Sequence, residues 1–553
     1  MEIRNKNSKA ITTNLKQVEE ILLENRAGED VEAFLNPPHP YTYLGKPKEI
    51  FGKYAPSLSK LEKLIRKAIN DNSFVIVHGD YDVDGITATA ILWELIYKSL
   101  GHRNCLPFIP NRFEHGYGLT KKSIDAIAQK IGVGAKPLLI AIDCGITAVD
   151  EVAYAKSLGF TVAIIDHHEL PKKLPDAKVI LHTLKLCSGG IAYMLSSYIH
   201  NKSDEDSLDL ATLATIADLQ PLLDINRSIV KYGLPHLSKS NRVGIKELIK
   251  VAGIENKIIT PYEVGWIIGP RLNAAGRISH GIDALRLLCT NNAKQGEEIA
   301  KSLNEINLER QATTDEIFLN ADEEVKKIIG KKLIVCYGEG FHEGVIGLVA
   351  QKLTQKYFLP AIVISVNGEN CKASARSVPG FDLTSFLRKI KGVFGSVGGH
   401  KAAAGFSLKS DKLQKFIKQA QDLAEKEIDP KLLLPFVEVD TEIPLGLVKA
   451  NLLALIKQME PFGLGNPTPV FYSTQVKVCG FSRFGKASNH LKIVLCDGEN
   501  SNFKIVGKVF NGAENHYDKL SLGQNVSVAY SISENTFNGK TAIETTIKDL
   551  KIE

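Results

Sequence analysis

The sequence predicts a multidomain α/β protein whose carboxyl-terminal part is β-rich. Three features point there. Short apolar runs alternate with helical patterns between about residues 74 and 220, residues 291–329 form a charged stretch without proline, and after Pro435 the chain changes to short apolar runs separated by Gly, Asn and Asp. With 553 residues, 44% of them hydrophobic, the chain is long enough for roughly two to four folded domains.

The first 45 residues read as an amino-terminal extension, and their start, MEIRNKNSKAITTNL, is too polar for a secretory signal. Next come FVIV (74–77), a helical ITATAILWELIYKSL (86–100), PLLIAI (137–142), a helical AVDEVAYAKSLG (148–159) and FTVAII (160–165), the pattern of a parallel sheet with crossover helices. Each apolar run leads into polar and acidic residues: HGDYDVDG, DCG and DHH. These collect at the carboxyl ends of the strands, the edge where open α/β sheets bind ligands. Residues 222–330 are helical in pattern, and a continuous helix over 291–329 would reach on the order of 50 Å, enough to bridge two domains. A second α/β segment runs from KKLIVCYGEG (331–340) to GSVGGHKAAAGF (395–406). In the last part, VFYSTQVKVCGF, LKIVLCD and NVSVAYSI read as strands of a small β-barrel or sandwich.

Composition removes several classes of function. No run approaches the 18 or so apolar residues that span a bilayer, so a cytoplasmic protein without membrane contact is expected. Cys105, Cys144, Cys187, Cys289, Cys336, Cys371, Cys479 and Cys496 include no CxxC pair, which argues against a zinc ribbon and a disulfide framework and predicts buried, reduced thiols. The net charge of +6 permits a polyanionic partner without demanding one. No GxxxxGK[ST] pattern is present, so ATP-driven unwinding is not expected to be intrinsic.

The chemistry concentrates in a few segments. In HGDYDVDG (78–85), an extended backbone would set Asp80, Asp82 and Asp84 on one face, about 6.6 Å apart, with His78 able to supply a nitrogen ligand. That spacing is too wide for one small ion and suits two metals about 3.5 to 4 Å apart. Gathering Asp82, Asp84, Asp143, Asp166 and Asp218 at one sheet edge would impose like-charge repulsion unless divalent ions were bound. Oxygen and imidazole donors without a thiolate favour Mn2+ or Mg2+ over a structural zinc. Cys144, beside Asp143, lacks an activating base and is read as a packing residue. Near the carboxyl end, Lys477, Arg483, Lys486, Lys492, Lys504 and Lys508 face only Asp497 and Glu499, with Phe481, Phe484, Phe503 and Phe510 interleaved. Cations that track phosphates and aromatics that stack on bases suit single-strand binding, although at least half of these rings are expected in a barrel core.

HGDYDVDG, DCG, DHH and the Ala217-Asp218 step resemble, in order and spacing, the metal-binding motifs of the DHH phosphoesterase superfamily. NRFEHGYG (111–118), GPRLNAAGRIS (269–279), SARSVPGFDL (374–383), GGHKAAAGF (398–406) and EPFGLGNPTPVF (460–471) extend the resemblance to the bacterial RecJ family. It implies a parallel-sheet DHH catalytic domain at 46–222, a helical region with the long connecting helix at 223–330, a smaller α/β DHHA1 domain at 331–431 and an OB-like barrel at 432–553. One metal would be held by His78, Asp82 and Asp143, and a second by Asp84, Asp143, His167 and Asp218. Asp143 would bridge the two, and Asp80 and Asp166 would orient the ligands. His168 would contact the scissile phosphate as hydrogen-bond donor or general acid, while Arg112, Arg277, Ser374, Arg376 and His400 would bind phosphates. The chain has Ala375 where relatives often carry glycine.

The resemblance therefore implies two-metal hydrolysis of single-stranded DNA from a 5′ end, in repair and recombination, by a monomer. Polarity comes from the resemblance alone. A helicase would open duplex substrates, and a single-strand-binding protein is an implied partner. Two other readings stand beside it: a DHH phosphatase of small nucleotides or short oligonucleotides, for which residues 432–553 would be surplus, and an inactive DNA-binding scaffold, which the complete set of six ligands disfavours.

Overall fold

The computed structural model describes all residues except 7–10, 29, 113, 133–135, 279, 328–329, 391, 498–502 and 538–539. Phe113, Ser279 and Glu499 thus lie outside the described residues. The first α/β unit is a five-stranded parallel sheet, in spatial order Cys105–Phe108, Val75–His78, Leu138–Ile142, Thr161–Asp166 and Val179–His182. The two middle runs, VIVH and LLIAI, are buried at every position, because helices cover both faces of a parallel sheet. The helices Val83–Trp93, Ser188–His200 and Glu205–Ala217 pack on one another beside it.

The connecting helix, Ala293–Lys327, has 35 residues and so spans about 50 Å. It lies against Val243–Val251 and Gly269–Ile278 at one end and Ile346–Tyr357 at the other, tying the second unit to the first. That second unit is a mixed sheet in the order Phe394–His400, Ala403–Lys409, Asn370–Arg376, Ala361–Asn367 and Ile334–Glu339, in which the last two strands are parallel.

The carboxyl-terminal unit is a closed barrel. Its strands Val470–Phe484, His490–Cys496, Lys504–Val509, Lys540–Ile552 and Asn525–Phe537 pair in that order, and Asn525–Phe537 returns to Val470–Phe484. Closure removes exposed strand edges. One expectation about the cysteines is corrected here: Cys479 and Cys496 form a disulfide, with Cα atoms 6.0 Å apart. Strand pairing sets Lys477 opposite Cys496, and a bulge between Val478 and Gly480 brings Cys479 alongside. The other six cysteines are free, and Cys289 alone among them is not buried.

The amino-terminal extension packs into this barrel. Glu2–Asn5 pairs in parallel with Phe436–Val439, and Val18, Leu22 and Phe34 join the barrel core. Arg26 donates to both carboxylate oxygens of Asp440 at 2.8 and 2.9 Å, and both side chains are buried. The buried Arg227 guanidinium donates to the carbonyls of Phe34, Met459, Glu460 and Pro461, joining the extension, the helical region and the barrel. Among the described residues no helix is long and apolar enough to cross a membrane.

Truncating one partner of a buried ion pair strands the other charge. Arg26→Ala should therefore destabilise the protein by about 3 to 5 kcal/mol. Urea unfolding would measure this, and a loss under about 1 kcal/mol would mean that Asp440 regains solvent or another partner.

Candidate metal centre and phosphate-binding cavity

The acidic side chains converge because four elements end at one place. The strand Val75–His78 stops at a buried His78, and the chain turns at once into the helix Val83–Trp93, capped by Asp82, whose carboxylate accepts from the Gly85 amide at 3.0 Å. The DYDVD segment is therefore not extended, as the alternation of carboxylates suggested: Asp84 lies in the first helical turn. A Cβ at Gly85 would sit 2.6 Å from the Asp80 backbone, so the turn requires glycine there. Asp84 accepts from the amides of Ser188 and Gly189, at 2.8 and 2.7 Å, at the amino terminus of Ser188–His200, where the helix dipole favours an anion.

Asp143 follows the strand Leu138–Ile142 in the left-handed region, at φ 61°, and accepts from the Ser188 hydroxyl at 3.0 Å. A non-glycine residue held there stores backbone strain of the kind found at functional sites. Asp166 ends the strand Thr161–Asp166 and accepts from the amides of Ile146, His167 and His168 and from His168 Nδ1, the last at 2.7 Å. Asp218 caps the carboxyl terminus of Glu205–Ala217 and accepts from Gln220 at 2.7 Å.

His167 is the hub: its Nε2 lies 3.3 Å from Asp143, 3.5 Å from Asp84 and 3.8 Å from Asp218. Three sets of candidate ligand atoms come within 4.8 Å of one another: Asp84, His167 and Asp218; Asp80, Asp82 and Asp143; and Asp143, His167 and His168. His78 belongs to none of these sets. Its ring stacks on Phe108, with Nε2 3.1 Å from Ser123 Oγ and Nδ1 3.6 Å from Cys144 Sγ.

Burial and the neighbouring charge of Asp82 push Asp80 up to about 8. Burial and Asp84 raise Asp218 to about 6, and burial with Asp84, Asp82, Asp80 and Asp166 holds Asp143 well above the carboxylate range. Burial lowers His78 to about 4, keeping its ring neutral as a metal ligand must be. At Asp166 burial acts upward, but the hydrogen bond to His168 prevails and lowers it, while the same bond raises His168 to about 9. Carboxylates in mutual repulsion beside imidazole donors fit hard divalent cations such as Mn2+ and Mg2+. The Cys144 thiol, pushed far up by burial, packs in the core as expected.

A second feature adjoins this cluster. Arg112, Arg277, Ser374 and Arg376 line one cavity of about 660 Å³, together with Gly347 and Gly398. A Cβ at Gly347 would stand 2.9 Å from Ser374 Oγ and 3.1 Å from the Arg376 guanidinium. Burial lowers Arg277 and Arg376, and so does the positive charge of Arg112 on the first and of Arg277 on the second. Cations gathered in this way call for an anion. Tyr81 connects the two features, since it lies between Asp80 and Asp82 and its ring is 5.9 Å from the Arg112 guanidinium. Ala375 is fully buried in the core on the other face of its strand, so its methyl does not obstruct the cavity. The exposed His400 is not part of this lining, and its carbonyl accepts from Thr384.

Tyr81, Ser188, Gly189 and Tyr117, whose ring meets that of Tyr81 edge-on, were not singled out from the sequence. The Ser-Gly-Gly step at 188–190 was the available signal, because a helix opening on small residues exposes its amides to an anion. An exposed apolar patch of Leu219, Tyr262 and Trp266 next to Asp218 was missed as well. In the barrel, Phe481 and Phe503 pack against the core, while Phe484 and the exposed Phe510 cluster with His490 at its surface.

Comparison with known proteins gives three family matches: the DHH family, N-terminal domain, over residues 74–217, the DHHA1 domain over 330–426 and the RecJ OB domain over 439–549. The single-stranded-DNA-specific exonuclease RecJ of Bacillus subtilis is 32% identical over 88% of this chain, which spans 62% of that relative's length. The protein of the same name from Thermus thermophilus is 31% identical over 89% of this chain and 71% of its own. The crystal structure of RecJ in complex with Mn2+ from Thermus thermophilus superposes with a TM-score of 0.81 at 25% identity, covering 100% of this chain and 79% of that one.

A carboxyl whose pKa is raised on folding binds more protons folded than unfolded, so its contribution to stability is complete below the ordinary carboxylate range and is lost as pH rises through the folded value. Without divalent metal, the melting temperature should thus fall as pH rises through about 6 for Asp218 and about 8 for Asp80. Added Mn2+ should flatten that fall. Parallel melts across pH with EDTA or Mn2+ check this, and curves that coincide would dismiss the cluster as a metal centre.

Proposed function

The chain belongs to the RecJ family, and from that premise we propose that it is a metal-dependent exonuclease that hydrolyses single-stranded DNA from a 5′ end. The observation that carries this is the meeting, across Tyr81, of a carboxylate and imidazole cluster with an arginine cavity. A phosphodiester chain can lie with one phosphate at each.

In this reading Asp84, Asp143, His167 and Asp218 hold one divalent ion, and Asp82, Asp143 and His78 the other, with Asp80 and Asp166 orienting the ligands. Bound there, Mn2+ or Mg2+ supplies Lewis-acid polarisation of the phosphate and acidification of water. His168, oriented through its Nδ1 by the 2.7 Å bond to Asp166, which raises its pKa, can donate from its other ring nitrogen to a phosphate oxygen or the leaving oxygen. Arg112, Arg277, Arg376 and Ser374 clamp the terminal phosphate in bidentate and charge-assisted bonds, which is how an end is told from an internal linkage. Phe484 and Phe510 with the neighbouring lysines, and Tyr262 with Trp266, offer stacking surfaces to bases farther along the strand. The enzyme acts as a cytoplasmic monomer that relies on a helicase for duplex substrates and works beside a single-strand-binding protein.

Asp143→Asn keeps a residue type that tolerates the left-handed backbone and removes the shared charge. Hydrolysis in Mn2+ should drop by about 100-fold or more, with single-strand binding preserved. Near-normal turnover would remove Asp143 from the metal centre. Arg376→Ala should lose a charge-assisted contact of about 1.5 to 3 kcal/mol, shrinking the preference for 5′-phosphorylated over 5′-hydroxyl strands by roughly 10- to 150-fold in kcat/KM. Full retention of that preference would show that Arg376 does not read the end, and cutting of circular strands would refute the exonuclease reading.

A further inference from the structure

A second, larger cavity of about 1310 Å³ adjoins the arginine cavity and shares Glu343, Lys372 and Ser407 with its wall. Resting on the exonuclease reading above, we propose that this second cavity is a subsite for the outer phosphates of a strand carrying a 5′-triphosphate.

Strand alternation sets the direction. On Asn370–Arg376 the side chains of Arg376, Ser374 and Lys372 follow one another along one face, about 6.6 Å apart. Arg376 and Ser374 line the first cavity, Lys372 both, and Asn370 the second. Arg112, beside Tyr81, marks the end toward the carboxylates, so the larger cavity lies on the far side of the terminal-phosphate clamp. A group attached to the terminal phosphate has to go there.

The lining suits phosphate. Lys372, Lys409 and Lys412 face Glu343, the one carboxylate among the described residues of the wall. Glu343 is already paired with Lys372 at 2.5 Å, and Lys409 stands 3.8 Å from Glu369 outside the wall. Lysines are compact point charges that bind phosphate without demanding one orientation, as a flexible polyphosphate requires. The Lys372–Glu343 pair sits where the cavities join, and its lysine is more than half exposed, free to turn from the carboxylate to an arriving phosphate. A pocket built for a monophosphate alone would need no cationic extension.

Hydrolysis itself is unchanged. Water adds to the phosphorus of the first internucleotide linkage, the bond to the 3′ oxygen breaks, and that oxygen takes the proton. The first product is then a nucleoside 5′-triphosphate, and the shortened strand carries an ordinary 5′-monophosphate.

The test uses the full chain with Mn2+ on one oligonucleotide with a 5′-monophosphate or a 5′-triphosphate, and the double variant Lys409→Ala, Lys412→Ala. The parent should cut the triphosphate strand within about threefold of the monophosphate rate and release a nucleoside triphosphate first. The variant should lose at least fivefold on that strand alone. A parent that cuts only the monophosphate strand, or a variant that slows both strands equally, overturns the proposal. Should neither strand be cut, the exonuclease reading fails instead. Metal-free equilibrium binding then decides the cavity, which must favour the triphosphate strand at least fivefold in the parent and not in the variant.

Discussion

The repulsion among carboxylates gathered at one sheet edge is the constraint on which the rest of this structure depends. Asp80, Asp84 and Asp143 are buried and Asp82 and Asp218 stand beside them partly exposed, an arrangement that raises the carboxyl pKa values of Asp80, Asp82, Asp143 and Asp218 and opposes folding unless charge is supplied. The protein holds it by local means. Backbone amides of Ser188 and Gly189 fix Asp84, the Gly85 amide fixes Asp82, and a left-handed backbone aims Asp143. The strands Val75–His78 and Leu138–Ile142 beneath are buried throughout and almost wholly apolar, so the edge cannot relax away from its own charge.

The arginine cavity is the complementary half. Arg112 and Arg277 come from the first unit and the helix Gly269–Ile278, whereas Ser374 and Arg376 come from the second sheet. Their mutual placement rests on the connecting helix, which packs on Gly269–Ile278 and on Ile346–Tyr357, the helix that carries Gly347 at its start. A continuous helix is stiff over this length, so it fixes an acidic centre and a basic one at constant separation. Arg227 and the Arg26–Asp440 pair do the same for the barrel, through bonds that bury two guanidinium groups.

Much of this was legible in the sequence because burial leaves a plain record. Apolar runs ending in acidic residues gave the parallel sheet and its acidic edge, and proline-free charge over 291–329 gave the connecting helix. The edge strands Cys105–Phe108 and Val179–His182 were missed because four residues, one a proline in the first case, carry too little pattern. The turn at Asp82 was misread for a physical reason: alternate carboxylates look extended, and the capping of a helix by the middle one depends on Gly85, whose part shows only in three dimensions. The Cys479–Cys496 bond was equally hidden, since strand register and a bulge, not spacing, bring the two together. Ser374 and Arg376 could be named from their motif, but that they share a cavity with Arg112 and Arg277 follows from packing between units.

Fixed separation has a consequence for the chemistry. If the cavity holds a terminal phosphate and the carboxylate edge holds the next one, the length of the fragment released is set by the distance between them and not by the sequence of the strand. Tyr81 stands at that boundary, its amide bonded to Asp80 in the acidic turn and its ring in contact with Arg112. Gly276 and Gly281 approach it so closely that a Cβ at either would lie 3.2 Å or less from Tyr81 atoms. Two glycines holding one tyrosine leave it little room to move, which keeps the two charge centres in register from one cut to the next. On the same condition the barrel and its aromatic surface would have no part in measuring the cut; their proposed role would be to keep the rest of the strand near the edge where each new terminus must arrive.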